Sequence, residues 1–167
     1  MRDRRLVQLV AAALWLVLTS GCFGLGFDQP ERISLRPYPL SLELPAGFTQ
    51  RSGSGGAMVL EAPEDARVVT VSGAAPGGAA STRTAAEILP GASLELDWAR
   101  PATLDGMSAV EMRVRERSPE ARTHWIAVID AASGVVFLDV AIDDAVTTSP
   151  SGDVLWDHTR DSIRSEP

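Results

Sequence analysis

Two histidines, His124 and His158, are the side chains of this 167-residue sequence best suited to acid–base or metal chemistry near neutral pH. His158 and Asp161 share a face if their segment is helical, whereas His124 lies beside Trp125 in an apolar segment. A zinc site needs more ligands than these at short spacing. We therefore expect neither a catalytic residue nor a metal ligand here. His124 is predicted to be a surface or packed strand residue, and His158 to lie on a solvated helix face.

Acidic and small residues form two further groups with chemical potential. Asp139, Asp143 and Asp144 lie at the end of an apolar segment, and paired carboxylates can act as acid and base or bind calcium. The surrounding sequence lacks the alternating aspartates and glycine of a calcium loop, so we expect a solvated acidic loop. Residues 52–56 (Ser-Gly-Ser-Gly-Gly) match neither a nucleophile elbow nor a phosphate-binding loop, and predict a mobile hairpin tip.

Three tryptophans, Trp98, Trp125 and Trp156, are large enough to line a ligand groove. Aromatic residues at inward-facing positions usually belong to a core, and we expect that role here. A cavity lined by Trp98 or Trp125 would instead indicate a ligand-binding protein.

The single cysteine, Cys22, follows a segment organised like an export signal. Arginines precede an apolar run from Leu6 to Leu18, which is too short for a transmembrane helix and typical of a secretory signal. The segment resembles a lipobox, with Thr19 at the position where leucine is usual. The resemblance implies cleavage between Gly21 and Cys22, residues 1–21 as signal peptide, and a lipid on the Cys22 thiol. An ordinary cleaved signal and an uncleaved anchor are the alternatives.

Composition limits the class of protein. The part after the signal has the length of one domain, and a lone cysteine excludes an intrachain disulfide. The 22 acidic residues outnumber the 15 basic ones, for a net charge of −7, which disfavours nucleic acid and anionic lipid headgroups as partners. We expect no nucleic-acid partner and no cofactor. Phe23 rather than aspartate follows the cysteine, which favours the periplasmic face of the outer membrane in a Gram-negative organism.

The first half of the chain predicts a tether followed by strands. Glycine and proline interrupt any period over residues 22–37, so we expect a flexible tether there and a globular domain over 38–167. Leu40, Leu42 and Leu44 alternate with polar residues, as in a half-buried strand. Residues 58–61 are predicted to form half of a hairpin. Residues 67–72 are rich in β-branched side chains and predict another strand.

A short helix and a further strand follow. Thr84 and Glu87 have the spacing of a capping box, and Pro90-Gly91 is expected to end the helix. Leu94, Leu96 and Trp98 alternate with acidic residues, which predicts a strand that carries all three on one face.

The second half predicts mostly strands and a final helix. Asp105-Gly106 is a hairpin dipeptide. After it, Val110, Met112 and Val114 alternate with Glu111, Arg113 and Arg115, which predicts an amphipathic strand with its charged residues on the polar face. Residues 124–129 and 135–142 are apolar on both faces and predict central strands. Residues 151–164 predict a helix with positions 155, 159 and 163 on one face. We therefore predict an α+β fold: one domain, a three-layer α/β/α sandwich around a mainly antiparallel sheet.

The order of several short motifs resembles the PsbP-like family. These motifs are an alternating strand that ends in Pro45-Ala46-Gly47-Phe48, the turn Leu104-Asp105-Gly106, the strand Gly134-Val135-Val136-Phe137-Leu138, and a terminal helix with Trp156 and Ser162-Ile163-Arg164. The resemblance implies an α/β/α sandwich and a mostly non-enzymatic role in assembling or stabilising larger complexes. It implies no shared catalytic residues.

Together these features predict a membrane-anchored extracytoplasmic lipoprotein of the cell envelope. We expect a protein-interaction or assembly module without enzymatic activity, held to the membrane through Cys22 and bound to an envelope protein. The alternative is an envelope lipoprotein that binds a small ligand or a lipid.

Overall fold

The computed structural model describes residues 30–62, 67–73, 79–117, 121–144 and 151–166. The strands in these ranges are β1 (Glu31–Ser34), β2 (Leu40–Leu44), β3 (Thr49–Ser52), β4 (Met58–Ala62), β5 (Arg67–Gly73), β6 (Leu94–Leu104), β7 (Met107–Glu116), β8 (Arg122–Ala131), β9 (Gly134–Asp143) and β10 (Arg164–Ser165). The α-helices are α1 (Ala85–Ile88) and α2 (Gly152–Ser162), and short 3-10 turns cover Ser54–Gly56 and Ala80–Thr82.

Seven strands form one antiparallel sheet in the order β3-β4-β5-β9-β8-β7-β6. Strands β8 and β9 lie in its interior, which confirms the prediction that residues 124–129 and 135–142 are central strands. Their apolar runs are explained by burial on both faces: Ile126 and Ala127 are adjacent on β8, point to opposite faces, and are both 0% exposed.

A second, smaller sheet has the order β1-β2-β10. The alternating leucines of β2 are buried, as predicted. The predicted tether is wrong over residues 31–37, because Glu31–Ser34 pairs with β2 in register and Leu35 is 2% exposed in the core. The folded domain therefore begins by Glu31 rather than at Tyr38. The rest of the tether, residues 22–29, lies outside the described residues.

Apolar clusters cover both faces of the seven-stranded sheet. On one face, Leu138 and Val140 of β9 join a cluster that includes β2 and the buried residues Leu155 and Trp156 of α2. On the other, residues of β7, β8 and β9 lie in a smaller cluster against which Ile88 of α1 packs. The α+β class and the mainly antiparallel sheet agree with the prediction.

Local signals account for the turns and helix ends. Asp105 (φ 47°) and Gly106 (φ 80°) both adopt left-handed backbone, as a two-residue hairpin turn between β6 and β7 requires. The predicted capping box is present at Thr84 and Glu87, where the Thr84 N–H donates to Glu87 Oε1 at 3.2 Å. Helix α2 buries Leu155 and Thr159, two of the positions predicted for its inward face.

Tyr38 joins three parts of the chain through its hydroxyl. The hydroxyl donates to the carbonyl oxygen of Gly56 at 3.2 Å and accepts the N–H of Gly73 at 3.0 Å. It thereby links the turn between β3 and β4 to the end of β5. The predicted hairpin tip at residues 52–56 is this turn, between Ser52 at the end of β3 and Met58 at the start of β4.

Candidate functional site

A β-bulge in β6 decides which side chains of the edge strand reach the interior. Leu96 pairs with Val114 and Trp98 with Arg113, so Asp97 is the extra residue. The predicted alternation of Leu94, Leu96 and Trp98 on one face is therefore wrong. Leu96 is 60% exposed, whereas Trp98 turns to the opposite face and packs against the larger cluster.

The bulge places Arg100 over a buried carboxylate. The guanidinium of Arg100 lies 4.7 Å from the ring centroid of Trp98 and donates through Nε to Glu111 Oε2 at 2.9 Å. Glu111, on β7, is 2% exposed. The alternation on β7 predicted a solvent-facing glutamate at this position, and that prediction is wrong. A buried carboxylate needs such a charged partner, because burial removes its hydration.

Helix α2 supplies a second arginine to the same carboxylate. Arg160 Nε lies 3.7 Å from Glu111 Oε1, while its terminal nitrogens reach Asp157 at 3.4 Å and Asp161 at 2.8 Å. Burial by itself lowers the pKa of Arg160, but the hydrogen bond to Asp161 and the charges of the three carboxylates outweigh it and raise the pKa. The guanidinium therefore stays charged and is held in place from several sides.

These groups border an open cleft of about 420 Å³ between the β6–β7 turn and the end of α2. We call it the C-terminal cleft, and its charged lining consists of Asp105, Glu111, Arg160, Asp161 and Arg164.

The walls of the C-terminal cleft are fixed by hydrogen bonds of the turn. Asp105 Oδ2 accepts the backbone N–H of Ser165 at 2.8 Å and its hydroxyl at 3.0 Å. These hydrogen bonds, together with the charge of Arg164, lower the pKa of Asp105, so this wall is negative at neutral pH. Arg164 donates to the carbonyl oxygen of Asp161 at 2.9 Å.

The groups of the C-terminal cleft can form charged hydrogen bonds with a bound molecule. Its carboxylates and guanidinium groups pair with each other and are thereby held in position. Fixed charges of both signs at the rim restrict the orientation in which such a molecule can bind.

A separate polar cluster lies on the opposite face of the sheet, around His124. His124 Nδ1 lies 3.1 Å from both carboxylate oxygens of Asp139, and Nε2 lies 3.7 Å from Glu116 Oε2. His124 and Asp139 are 3% and 5% exposed. Burial by itself lowers the pKa of His124, but the hydrogen bond to Asp139 and the charges of Asp139 and Glu116 outweigh it, so the pKa is raised.

The structure thus brings together His124 and Asp139, which are 15 residues apart in the sequence. Of the two possibilities predicted for His124, a surface or a packed strand residue, the structure shows the packed one. Asp139 was predicted to be part of a solvated acidic loop, which is wrong, because it is buried within β9. Asp144 lies beyond β9 and accepts the Thr123 hydroxyl at 2.7 Å. His158 is half-buried on α2 rather than on a fully solvated face.

The tryptophans belong mainly to the core. Trp125 is 4% and Trp156 2% exposed, and Trp125 packs against Gly152 at the start of α2. Its indole N–H donates to Asp153 Oδ1 at 3.1 Å. Trp98 is half-buried beneath Arg100. None of the three lines the C-terminal cleft.

The residues of the predicted signal and lipid attachment, Gly21 and Cys22, lie outside the described residues. Within the described part of the chain, no helix is long and apolar enough to cross a membrane. In the same ranges, no group of three or more histidine, cysteine, aspartate or glutamate side chains is arranged to hold a metal ion.

Sequence reasoning missed Glu111 and Arg160 as site residues. Glu111 sits in a regular alternation of polar and apolar residues, which is the usual pattern of an exposed glutamate. The available signal was the continuous apolar character of the neighbouring strand β8, which indicates that a further layer covers this face of the sheet.

Comparison with known proteins identifies the fold of this chain but no family to which it belongs. No protein-family model and no curated protein matches the chain. The solution structure of cyanobacterial PsbP (CyanoP) from Synechocystis is similar, with a TM-score of 0.60 and 17% identity over 86% of this chain and 96% of that one.

Two further solved structures resemble the chain more distantly. A protein from Bacteroides thetaiotaomicron has a TM-score of 0.51 and 7% identity, over 77% of this chain and 46% of that one. A protein of unknown function from Pseudomonas aeruginosa has a TM-score of 0.50 and 12% identity, over 84% and 99%. At these identities the similarity concerns backbone architecture: the chain has a PsbP-like fold.

Proposed function

We propose that this protein is a lipid-anchored interaction module of the bacterial cell envelope. Cys22 holds it to a membrane, the folded domain lies on the extracytoplasmic side, and an envelope protein is its partner. The observation that carries the proposal is the fold shared with cyanobacterial PsbP over 86% of the chain. It agrees with the family resemblance of the sequence motifs, which implies a role in assembling larger complexes. In a Gram-negative organism the anchor places the domain on the periplasmic face of the outer membrane.

We further propose that the domain extends to residue 167 and is a three-layer α/β/α sandwich. The smaller sheet and α2 form one outer layer, and the segment around α1 forms the other. The support is the presence of a buried apolar cluster on each face of the seven-stranded sheet. Two covered faces are what a sheet with apolar central strands needs.

The surface that fits a protein partner best is the C-terminal cleft. Arginine residues held in place by neighbouring charges are frequent energetic centres of protein interfaces, because little side-chain freedom is lost when they bind. Arg160 has this character, with the buried carboxylate of Glu111 behind it and only 23% of its side chain exposed. The C-terminal cleft adds exposed charges of both signs at its rim, which favour a specific orientation of the partner.

Lipid attachment is tested with Cys22→Ser in the full chain. We expect the wild-type protein in the membrane fraction, with a mass that corresponds to a chain starting at an acylated Cys22. Because Cys22 is the lone cysteine, the mature chain should then give no free-thiol label. The Cys22→Ser variant should carry no lipid, so it should either keep its uncleaved signal segment or be absent from the membrane fraction. An unmodified wild-type chain that reacts with a thiol reagent would refute the anchor.

The partner is tested with a photo-cross-linking residue at Asp161, an exposed position of the C-terminal cleft. The matched control carries the same residue at Gln50, which is exposed on the far edge strand β3. We expect one abundant cross-linked envelope protein from position 161 and none from position 50. Equal products from both positions, or none from either in the native membrane, would contradict the proposal.

The alternative, a small-ligand lipoprotein, is favoured by the size of the C-terminal cleft. A volume of about 420 Å³ is within the range of small-molecule sites. Because the lining of the C-terminal cleft is charged, the ligand class that fits it is a polar, charged compound rather than a lipid chain. Arg100 donates to Glu111 of the cleft lining and lies 4.7 Å from the ring centroid of Trp98, so a ligand that competes with Arg100 for Glu111 should change the fluorescence of Trp98. Ligand screening by tryptophan fluorescence of the wild type and Trp98→Phe therefore separates this alternative from protein binding.

A further inference from the structure

The most unusual buried group of the described chain is the imidazole of His124, which lies between two carboxylates. Asp139 on β9 contacts Nδ1 at 3.1 Å, and Glu116 on β7 lies 3.7 Å from Nε2. The imidazole therefore connects the two strands on either side of its own strand, β8. Only the imidazolium form has a proton on both nitrogens, so only this form can donate to Asp139 and at the same time attract Glu116 as an ion pair.

We propose that His124 is a pH-sensitive clasp, in which the imidazolium joins Glu116 to Asp139 and loss of its proton releases Glu116 together with the end of β7. The proton goes to solvent. The remaining N–H stays at Nδ1, where the shorter contact to Asp139 holds it. Nε2 then presents a lone pair to the carboxylate of Glu116, and this contact becomes repulsive.

The exposure of the two carboxylates determines which one moves. The side chain of Asp139 is 7% exposed and lies in the middle of a central strand, so it cannot reach water without opening the sheet. The side chain of Glu116 is 26% exposed at the last residue of β7. Turning Glu116 into water is therefore the smaller rearrangement, since an exposed carboxylate recovers its hydration.

The other charged groups around His124 do not change the conclusion that Glu116 is the carboxylate that moves. The charges that raise the pKa of His124 are those of Asp139 and Glu116. On β8 itself, Arg122 occupies the same face two residues earlier, opposite Glu116 of β7 on one side and Asp143 of β9 on the other. In the segment that covers this face, Arg83 and Glu87 pair with each other at 2.8 Å. The residues of β5 on this face, at positions 68, 70 and 72, are valine, threonine and serine.

Release of Glu116 has a local consequence. Glu116 pairs with Leu94 of β6 and with Arg122 of β8. The next residue, Arg117, donates its N–H to the carbonyl oxygen of Ser93 at 2.7 Å. Loss of the clasp therefore loosens the open end of the β6–β7 pair first, while the central strands keep their ladder hydrogen bonds.

The test is an NMR titration of the full chain in detergent micelles. The sequence has two histidines, so His158→Gln leaves the ring protons of His124 as the remaining histidine signal. The variant Glu116→Gln removes one charge beside the imidazole and keeps its size. The matched control is Glu95→Gln, because Glu95 lies at the same end of the hairpin and pairs with Arg117 instead of His124.

We expect His124 to titrate above the ordinary value of about 6.5 and the Arg117 amide to lose exchange protection through the same transition. Glu116→Gln should move the midpoint to lower pH and abolish the change in protection, since its amide can donate to neutral Nε2. Glu95→Gln should leave the midpoint unchanged. A wild-type midpoint at or below the ordinary value, or the same midpoint in Glu116→Gln and wild type, would overturn the proposal. Circular dichroism verifies that each variant is folded.

Discussion

Substitution of Gly152 by alanine tests how α2 packs on the sheet. Gly152 is the first residue of α2, and a Cβ there would overlap Trp125 Cη2 and lie 2.8 Å from Cζ3 and 2.9 Å from Cζ2. Contacts below about 3.0 Å force a neighbour to move. Trp125 is 4% exposed, its indole N–H is bonded to Asp153, and Arg113 lies 5.1 Å from its ring, so it has little freedom to move aside.

Two opposing effects decide whether Gly152→Ala raises or lowers the free energy of unfolding. Alanine gains at most about 1 kcal/mol over glycine in helix propensity. Overpacking of a filled core costs about 1–3 kcal/mol. We therefore expect Gly152→Ala to lower the free energy of unfolding by about 1–2 kcal/mol in a chemical denaturation of the full chain, and to lower the Tm by several degrees.

The control is the same substitution in a Trp125→Phe background. Phenylalanine lacks the distal indole atoms that the new Cβ would meet, so the clash is relieved and the helix-propensity gain remains. In that background we expect Gly152→Ala to be neutral or slightly stabilising. The packing argument is refuted if Gly152→Ala stabilises the chain that retains Trp125.

Three further substitutions or conditions test other parts of the structure. Glu111→Ala should lower the free energy of unfolding by about 1–3 kcal/mol, as measured by chemical denaturation. The loss is smaller than for a pair in which both partners are buried, because Arg100 is 54% exposed and can be hydrated when Glu111 is removed. Tyr38→Phe should cost about 0.5–1.5 kcal/mol, since the Gly73 N–H loses its acceptor. The pKa of His124 is raised in the folded state, so the stability that protonated His124 contributes is complete below about pH 6.5 and disappears as the pH rises through the folded-state pKa. Tm values measured against pH should show this decrease in the wild type and not in His124→Gln.

Local signals predicted much of the fold correctly. The alternating leucines of β2, the apolar runs of β8 and β9, the Asp105-Gly106 turn and the capping box of α1 were all found where the sequence placed them. Each depends on residues within a few positions of one another. Periodicity and turn chemistry are sufficient there, because the backbone conformation is decided by neighbouring side chains.

Two predictions failed because a long-range strand pairing decided what the local sequence did not. Residues 31–34 carry no clear strand signal, yet they form β1 because an exposed edge of β2 accepts them. The alternation of Leu94, Leu96 and Trp98 is regular in sequence, but the bulge at Asp97 reverses the face after it. A bulge is a feature of register against β7, and register is not visible in one strand alone.

The sequence alone therefore determined most of the segments: the strands with an alternating or continuous apolar pattern, the Asp105-Gly106 turn and the two helices. The tertiary structure alone decided the partners of the polar groups. Glu111 and Arg160 come from a strand and a helix distant in sequence, and His124 meets Asp139 only because β8 pairs with β9 in one register. A single buried charge is unfavourable, and its partner can come from any element that packs beside it, so these pairings follow from the assembled fold.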